Sequence, residues 1–377
     1  PPVRRDPLII GAGPAGSAAA ITLGRAGYRP ALVERTRGPT DKVCGDFLSL
    51  DAIQQAVTLG VDPLALGAAE IRRIRLISGG RTAESALPFA ALGLSRRTLD
   101  AALLCAAERA GAIVRTGQIV RRMDRVPGGW TVAIARSDPI QAADVFLATG
   151  KHDLRARPRP GAEHGAIGMK MYFRLMPRQI ATLAGAIELI LFPGGYAGVQ
   201  CVEDGQAVVC VAIQRRSFRR AGGDWPGLLA LINAVTPHLS NVLTGATPLL
   251  PRPLAVAGIP YGLLHAPGAD PELSDGLFRL GDQAAVIPSL TGDGVAIALH
   301  SGARAAQVWL DGGDAGAYHR GLTRELGGQM RLARLLHWAC MFGPLQPAAI
   351  CGAAWFPSLL RGAASRTRIT SVRRGAE

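Results

Sequence analysis

The residues Pro7-Leu8-Ile9-Ile10-Gly11-Ala12-Gly13-Pro14-Ala15-Gly16 constrain this chain most, because an apolar run, a G-x-G-x-x-G and a small-residue helix start follow one another without a gap. Leu8, Ile9 and Ile10 read as a buried parallel strand. Gly11, Gly13 and Gly16 permit a tight turn, close approach of backbone to a pyrophosphate and close packing of helix on strand. Pro14 and Ala15 open the helix, whose free N–H groups and positive dipole end would meet the phosphates. The run Pro30-Ala31-Leu32-Val33 supplies a second strand ending in Glu34, 23 residues after Gly11. That carboxylate suits a ribose hydroxyl pair and would repel a 2′-phosphate, so the nucleotide expected here is the ADP half of FAD or NAD.

The chain has 377 residues, 48% of them hydrophobic, enough for a large core in one to three modules. Its formal charge of +14 rests almost wholly on arginine, since Lys42, Lys151 and Lys170 are the only lysines. No basic stripe interleaved with aromatics accompanies that charge, so no nucleic-acid partner is expected. The six cysteines (Cys44, Cys105, Cys201, Cys210, Cys340, Cys351) form no C-x-x-C pair, which argues against a zinc site or a disulfide scaffold. No metal is expected. No charged-then-apolar leader precedes the first strand, and the expectation is a reducing cytoplasm.

After the first βαβ unit comes a polar loop, Thr40 to Asp46. Leu94-Ser95-Arg96-Arg97-Thr98-Leu99-Asp100 opens a helix through Ala110, with Ser95 or Thr98 as its cap. Ala112 to Arg115, Trp130 to Ile134 and Asp144 to Gly150 read as strands. From about residue 158 the texture changes to alternating strands at 166–175, 187–192, 196–201 and 207–213. The expected organisation is an α/β fold: a Rossmann-like nucleotide domain (1–157 and 276–330), an inserted antiparallel sheet on which substrate would sit (158–275), and a C-terminal helical segment (331–377).

A second half-site lies at Gly281-Asp282-Gln283-Ala284-Ala285-Val286-Ile287-Pro288-Ser289-Leu290-Thr291-Gly292-Asp293-Gly294. Asp282 can accept from a ribitol hydroxyl. The N–H groups from Gly292 through Gly294 to Val295 can face an anionic flavin N1–C2=O edge with help from the helix dipole. Pro288, with its fixed φ, would stiffen the turn over the ring.

With both half-sites present the chain resembles the flavoprotein superfamily of geranylgeranyl reductases, aromatic-ring hydroxylases and flavin-dependent halogenases. In that resemblance Gly11 to Gly16 with Glu34 match the ADP site, Arg96 the arginine ahead of a Leu-Asp pair, and Gly281-Asp282 the ribityl motif. Lys42-Val43-Cys44-Gly45 and Pro193-Gly194-Gly195-Tyr196 are most similar to the geranylgeranyl-reductase branch. The resemblance implies FAD as cofactor, NADH or NADPH as electron donor, and a hydrophobic small-molecule substrate. It implies hydride transfer to an activated alkene, with flavin-dependent hydroxylation of an aromatic or polyketide-like molecule as the alternative; a flavin-binding module without catalysis is a further alternative, against which the substrate sheet argues. Cys44, Tyr196 and Lys42 are the candidate catalytic residues: the thiol beside flavin or substrate, the phenol to orient substrate or donate a proton, the ammonium to hold an anion.

Leu335 to Leu360 contains no Asp, Glu, Lys or Arg and is flanked by Arg331, Arg334 and Arg361. Its length permits a membrane span, but Pro344, Pro347 and Pro357 would break one. A pair of short helices lidding the substrate cavity is expected, and the alternative is a weak membrane-surface contact peripheral to the bilayer. The oligomeric state is not legible.

Overall fold

The structure, a computed structural model, describes residues 5–155, 157–265 and 276–369. Two sheets organise it. The first is a five-stranded parallel sheet in the order Leu277–Arg279, Val145–Leu147, Leu8–Ile10, Ala31–Glu34, Ile113–Thr116. Its central strands are apolar on both faces and buried on both, as a parallel sheet between layers requires. Helices Pro14–Arg25, Arg96–Arg109 and Gly294–Leu310 cover one face. A small sheet of Val120–Val126, Gly129–Ile134 and Ile140–Ala142 covers the other, with Trp130 fully buried against Leu8 and Ile10. Of the two caps expected, Ser95 or Thr98, the structure uses Ser95, whose Oγ accepts from the Thr98 N–H at 3.2 Å.

The second sheet has nine strands. Its order is Thr247–Pro248, Ala166–Arg174, Gln206–Ile213, Gly195–Cys201, Gly185–Phe192, Ala69–Ser78, Arg81–Gly93, Phe47–Leu48, and Leu254–Ile259 also pairs with Ala166–Arg174. Pairing is antiparallel except where Gly185–Phe192 runs parallel to Ala69–Ser78. The sheet therefore draws on residues 47–93 as well as on the stretch from 158. The boundary expected at residue 275 lies outside the described residues. Along Ala166–Arg174, Met169, Met171 and Phe173 join the hydrophobic cluster under the outer helices, while Lys170 and Tyr172 alternate to the opposite face.

Residue 331, expected to open a separate C-terminal segment, lies inside one continuous helix, Ala315–Met341, capped by Asp314. The chain then turns at Gly343–Leu345 into two short helices, Gln346–Trp355 and Pro357–Arg366, which pack on Arg81–Gly93. Among the described residues no helix is long and apolar enough to cross a membrane.

Candidate active site

A cleft of about 430 Å³ runs along the carboxyl ends of the parallel strands, lined by Gly11, Gly13, Glu34, Lys42, Arg96 and Thr149 among others. Gly11 has φ +102°, and a Cβ there would stand 2.4 Å from the Ala148 carbonyl oxygen, so only glycine fits. Gly16 likewise leaves no room, its Cβ falling 1.9 Å from the Gly11 oxygen. Gly13 is the N-cap of the helix that Pro14, Ala15 and Gly16 open, and it has no side chain to satisfy the first-turn N–H groups. Pro14, Ala15 and Gly16 are buried behind the cleft wall.

Glu34 stands at the cleft with Oε2 accepting from Ala12 N (3.0 Å) and Oε1 from Thr36 N (3.0 Å) and Oγ1 (2.9 Å). Burial pushes its carboxyl up, but those donors and nearby Lys42 outweigh it, so its pKa lies below the ordinary value. An ionised carboxylate fixed this way keeps lone pairs for two hydroxyls. Arg96 is held bidentate by Asp100 (2.8 and 2.9 Å), and the Cys44 thiol also faces it. Burial pulls the guanidinium down, and these partners hold it above its ordinary value. The glycine cradle, the uncapped helix start and the anchored acid fit the ADP half of FAD.

A second cavity of about 320 Å³ adjoins the cleft, and the two share Val43, Lys151 and Asp282 in their walls. The second chamber is mostly apolar, lined by Phe47, Leu76, Leu189, Leu336 and Leu360, with Cys44, Tyr196, Tyr261, Ser289, Gln200 and Arg368 among its polar points besides the shared Lys151 and Asp282. Gly292, Gly294 and Val295 line it too. Gly281 lies just outside, donating its N–H to Ser301 Oγ at 2.8 Å, and Pro288 holds the turn by accepting from Thr291 N (3.1 Å). Lys42 lines the cofactor cleft and does not line the chamber of Cys44 and Tyr196. That place keeps it where an ammonium could hold an anion in the cleft.

Three features were not legible in the sequence. Lys151 bridges the two cavities with Nζ 3.3 Å from Asp282 Oδ2; burial lowers its pKa, but Asp282 holds it up at about 12. Tyr196 OH meets Ser289 Oγ at 2.6 Å and accepts from Leu290 N at 3.1 Å, while Tyr261 OH meets the same Oγ at 2.9 Å. Burial raises the pKa of both phenols, that of Tyr261 to about 12, so both stay protonated. His337 from the long helix lies edge-on to Tyr196, and burial lowers its pKa to about 4.

Beneath the Cys44 loop lies the third feature, an ion pair fully withdrawn from solvent. Asp46 Oδ2 accepts from Lys170 Nζ and Tyr172 OH, both at 2.5 Å, and Lys170 also donates to the Lys42 carbonyl at 3.1 Å. Gln200 Nε2 donates to the Asp46 carbonyl at 2.9 Å, and Asp46 itself sits at φ +55°. The second sheet thus pins the loop on both sides of Cys44. The signal was a lysine within the apolar run Ala166 to Phe173, facing the same side as a tyrosine two residues on.

Residues 4–125 match the family model described as FAD binding domain. The chain is 29% identical over 321 residues to the digeranylgeranylglycerophospholipid reductase of Methanoculleus marisnigri, covering 80% of this chain and 76% of that one. It is 24% identical over 329 residues to the menaquinone reductase of Mycolicibacterium smegmatis, covering 82% and 77%. Among solved structures, the flavin-dependent brominase Bmp2 superposes with a TM-score of 0.76 at 16% identity, over 97% of this chain and 93% of that one. A geranylgeranyl bacteriochlorophyll reductase-like protein from Thermoplasma acidophilum superposes at 0.73 and 18%, over 93% and 91%. At these identities the structural likeness speaks for the fold.

Proposed function

We propose that this chain, an FAD-dependent oxidoreductase similar to proteins named as reductases, reduces a carbon–carbon double bond in a hydrophobic small molecule. NADH or NADPH is the electron donor in this reading. The overall change adds one hydride and one proton across the double bond, and nicotinamide leaves oxidised. FAD, when bound, supplies the two-electron chemistry that joins donor to alkene.

The single observation that carries the proposal is the adjacency of the two cavities, with Val43, Lys151 and Asp282 in the walls of both: a cleft that fits a dinucleotide beside an apolar chamber sized for a small molecule. The relatives named as reductases support the same direction. In the cleft, Gly11, Gly13, Glu34 and Arg96 would hold the ADP half and Asp282 the ribityl chain, while the N–H groups at Gly292 to Val295 would face the ring. Tyr196 orients the alkene and, through Ser289 and Tyr261, holds a proton near it. Cys44 sits in the loop that meets both cofactor and substrate. Apolar walls exclude water from the reacting carbon.

The test is rapid mixing of the reduced holoprotein with oxygen in the presence of a prenylated substrate. Simple reoxidation with no long-lived hydroperoxide absorbance supports the reductase. A persistent hydroperoxide with hydroxylated product would assign the chain to the monooxygenases instead.

A further inference from the structure

Six of the large apolar side chains that the protein leaves exposed crowd into the stretch from Leu335 to Leu359: Leu335, Trp338, Phe342, Trp355, Phe356 and Leu359. Trp355 is 81% exposed and Trp338 57%. A folded chain rarely leaves so many large apolar side chains of one segment in water unless something covers them. Leu335, Trp338 and Phe342 follow one another at helical spacing, and the rings of Trp338 and Phe342 stack with centroids 5.5 Å apart. Arg331 and Arg334, both exposed, stand one turn earlier on the same stripe, and exposed Arg361 closes the run on the last helix. No acid lies between them.

Leu336, Ala339, Ala349, Ala353 and Leu360 of the same helices line the substrate chamber, and Leu359, though exposed, lines it as well. One thin helical layer therefore separates the chamber from an apolar, cation-rimmed outer surface. The two short helices have ten residues each, about 15 Å of helix, half of a hydrocarbon core, so they can lie in an interface but not cross it.

We propose that the C-terminal helices dock this protein onto an anionic lipid bilayer, with Trp338, Phe342, Trp355 and Phe356 entering the interface and Arg331, Arg334 and Arg361 meeting lipid phosphates. The partner is the bilayer surface, and the chamber takes its substrate from it. Aromatic side chains at the level of the headgroups and arginines paired with anionic lipid are the chemistry that surface recognises. The formal charge of +14 acts in the same direction at long range. Docking rests on the proposed function only in that the chamber admits an apolar molecule.

The test is co-sedimentation of the FAD-loaded full chain with phosphatidylcholine vesicles, with and without phosphatidylglycerol. Wild type is expected to pellet with the anionic vesicles, less with neutral ones and less as salt rises. The double variant Trp355→Ser/Phe356→Ser is expected to lose at least about tenfold in vesicle affinity, and Arg331→Glu/Arg334→Glu to lose the dependence on anionic lipid. Both changes are on exposed side chains, and an unaltered melting temperature and FAD content confirm that each variant is folded. Wild type that stays in the supernatant, or a double variant that pellets like wild type, overturns the proposal. So does a soluble dimer that the double variant splits, which would make the face a contact between copies. Protein that pellets but reduces no alkene leaves docking standing and removes the proposed reaction. Protein that turns over detergent-dispersed substrate yet ignores vesicles removes docking alone.

Discussion

Arg368, two residues past the last helix, closes on Asp293, the residue that begins the helix Gly294–Leu310 beside the apolar chamber. Its other Nη donates to the Thr291 carbonyl at 3.1 Å, and Gln329 Nε2 from the long helix takes the second Asp293 oxygen at 2.6 Å. Asp293 is fully buried, and burial pushes its pKa to about 6 against the pull of Arg368 and Ser49. Drawn to these partners, the carboxylate does not cap its own helix, which leaves the first-turn N–H groups for a ligand. The C-terminal tail is thereby part of the support of the loop that carries Thr291, Gly292 and Asp293.

Arg368→Ala would leave a buried carboxylate without its cation, a loss of about 3–5 kcal/mol of stability. Chemical denaturation should show that loss together with weaker FAD binding, and Arg368→Lys should restore part of both. An alanine variant as stable as wild type would mean that the pair contributes nothing.

Local signals made the nucleotide cradle legible: Gly11, Gly13, Gly16 and Glu34 lie within two adjacent elements, and glycine spacing reports backbone geometry directly. The substrate strands from Ala166 to Ile213 were legible for the same reason, through their alternation. Arg368–Asp293 and Lys170–Asp46 were not, because the partners are 75 and 124 residues apart and no sequence period connects them. Ala69–Ser78 escaped notice because Glu70, Arg72, Arg73 and Arg75 give it the look of a charged surface loop, though Ile71, Leu76 and Ile77 are buried in the sheet. Tyr261 and His337 reach Tyr196 only through the fold.

Glu34→Ala should weaken FAD retention by about 1.5–3 kcal/mol, the worth of a charge-assisted hydrogen bond. In a fluorescence titration that is roughly a tenfold to hundredfold rise in Kd. Because hydrogen bonds hold its pKa below the usual 4.5, wild-type retention should be constant above that value and fall only in more acid solution. Equal FAD affinity in wild type and variant would remove Glu34 from the site.

Cys44→Ala should keep FAD and lose most turnover, since the Asp46–Lys170 pair holds the loop whatever stands at position 44. Steady-state rates alongside the bound-flavin spectrum decide it. Turnover at the wild-type rate would make Cys44 a packing residue.

His337 is held near pKa 4 by burial, against 6.5 in the open chain. The unfolded state therefore takes up a proton first, and stability fully present above pH 6.5 is lost as pH falls toward 4. The contribution is up to about 3 kcal/mol. His337→Leu should gain on wild type as denaturation is measured at lower pH across that window. A difference between the two proteins that stays constant with pH would contradict the burial of that imidazole.

The most direct measurement of the central claim is an anaerobic single turnover: the FAD-loaded protein is photoreduced, mixed with a prenylated alkene, and followed at the flavin absorbance while product is quantified. The expected result is reoxidation of the flavin with one equivalent of saturated product per flavin, abolished or greatly slowed in Cys44→Ala. Flavin that stays reduced in the presence of any apolar alkene, or protein that cannot be loaded with FAD, would contradict the reading of the adjoining cleft and chamber.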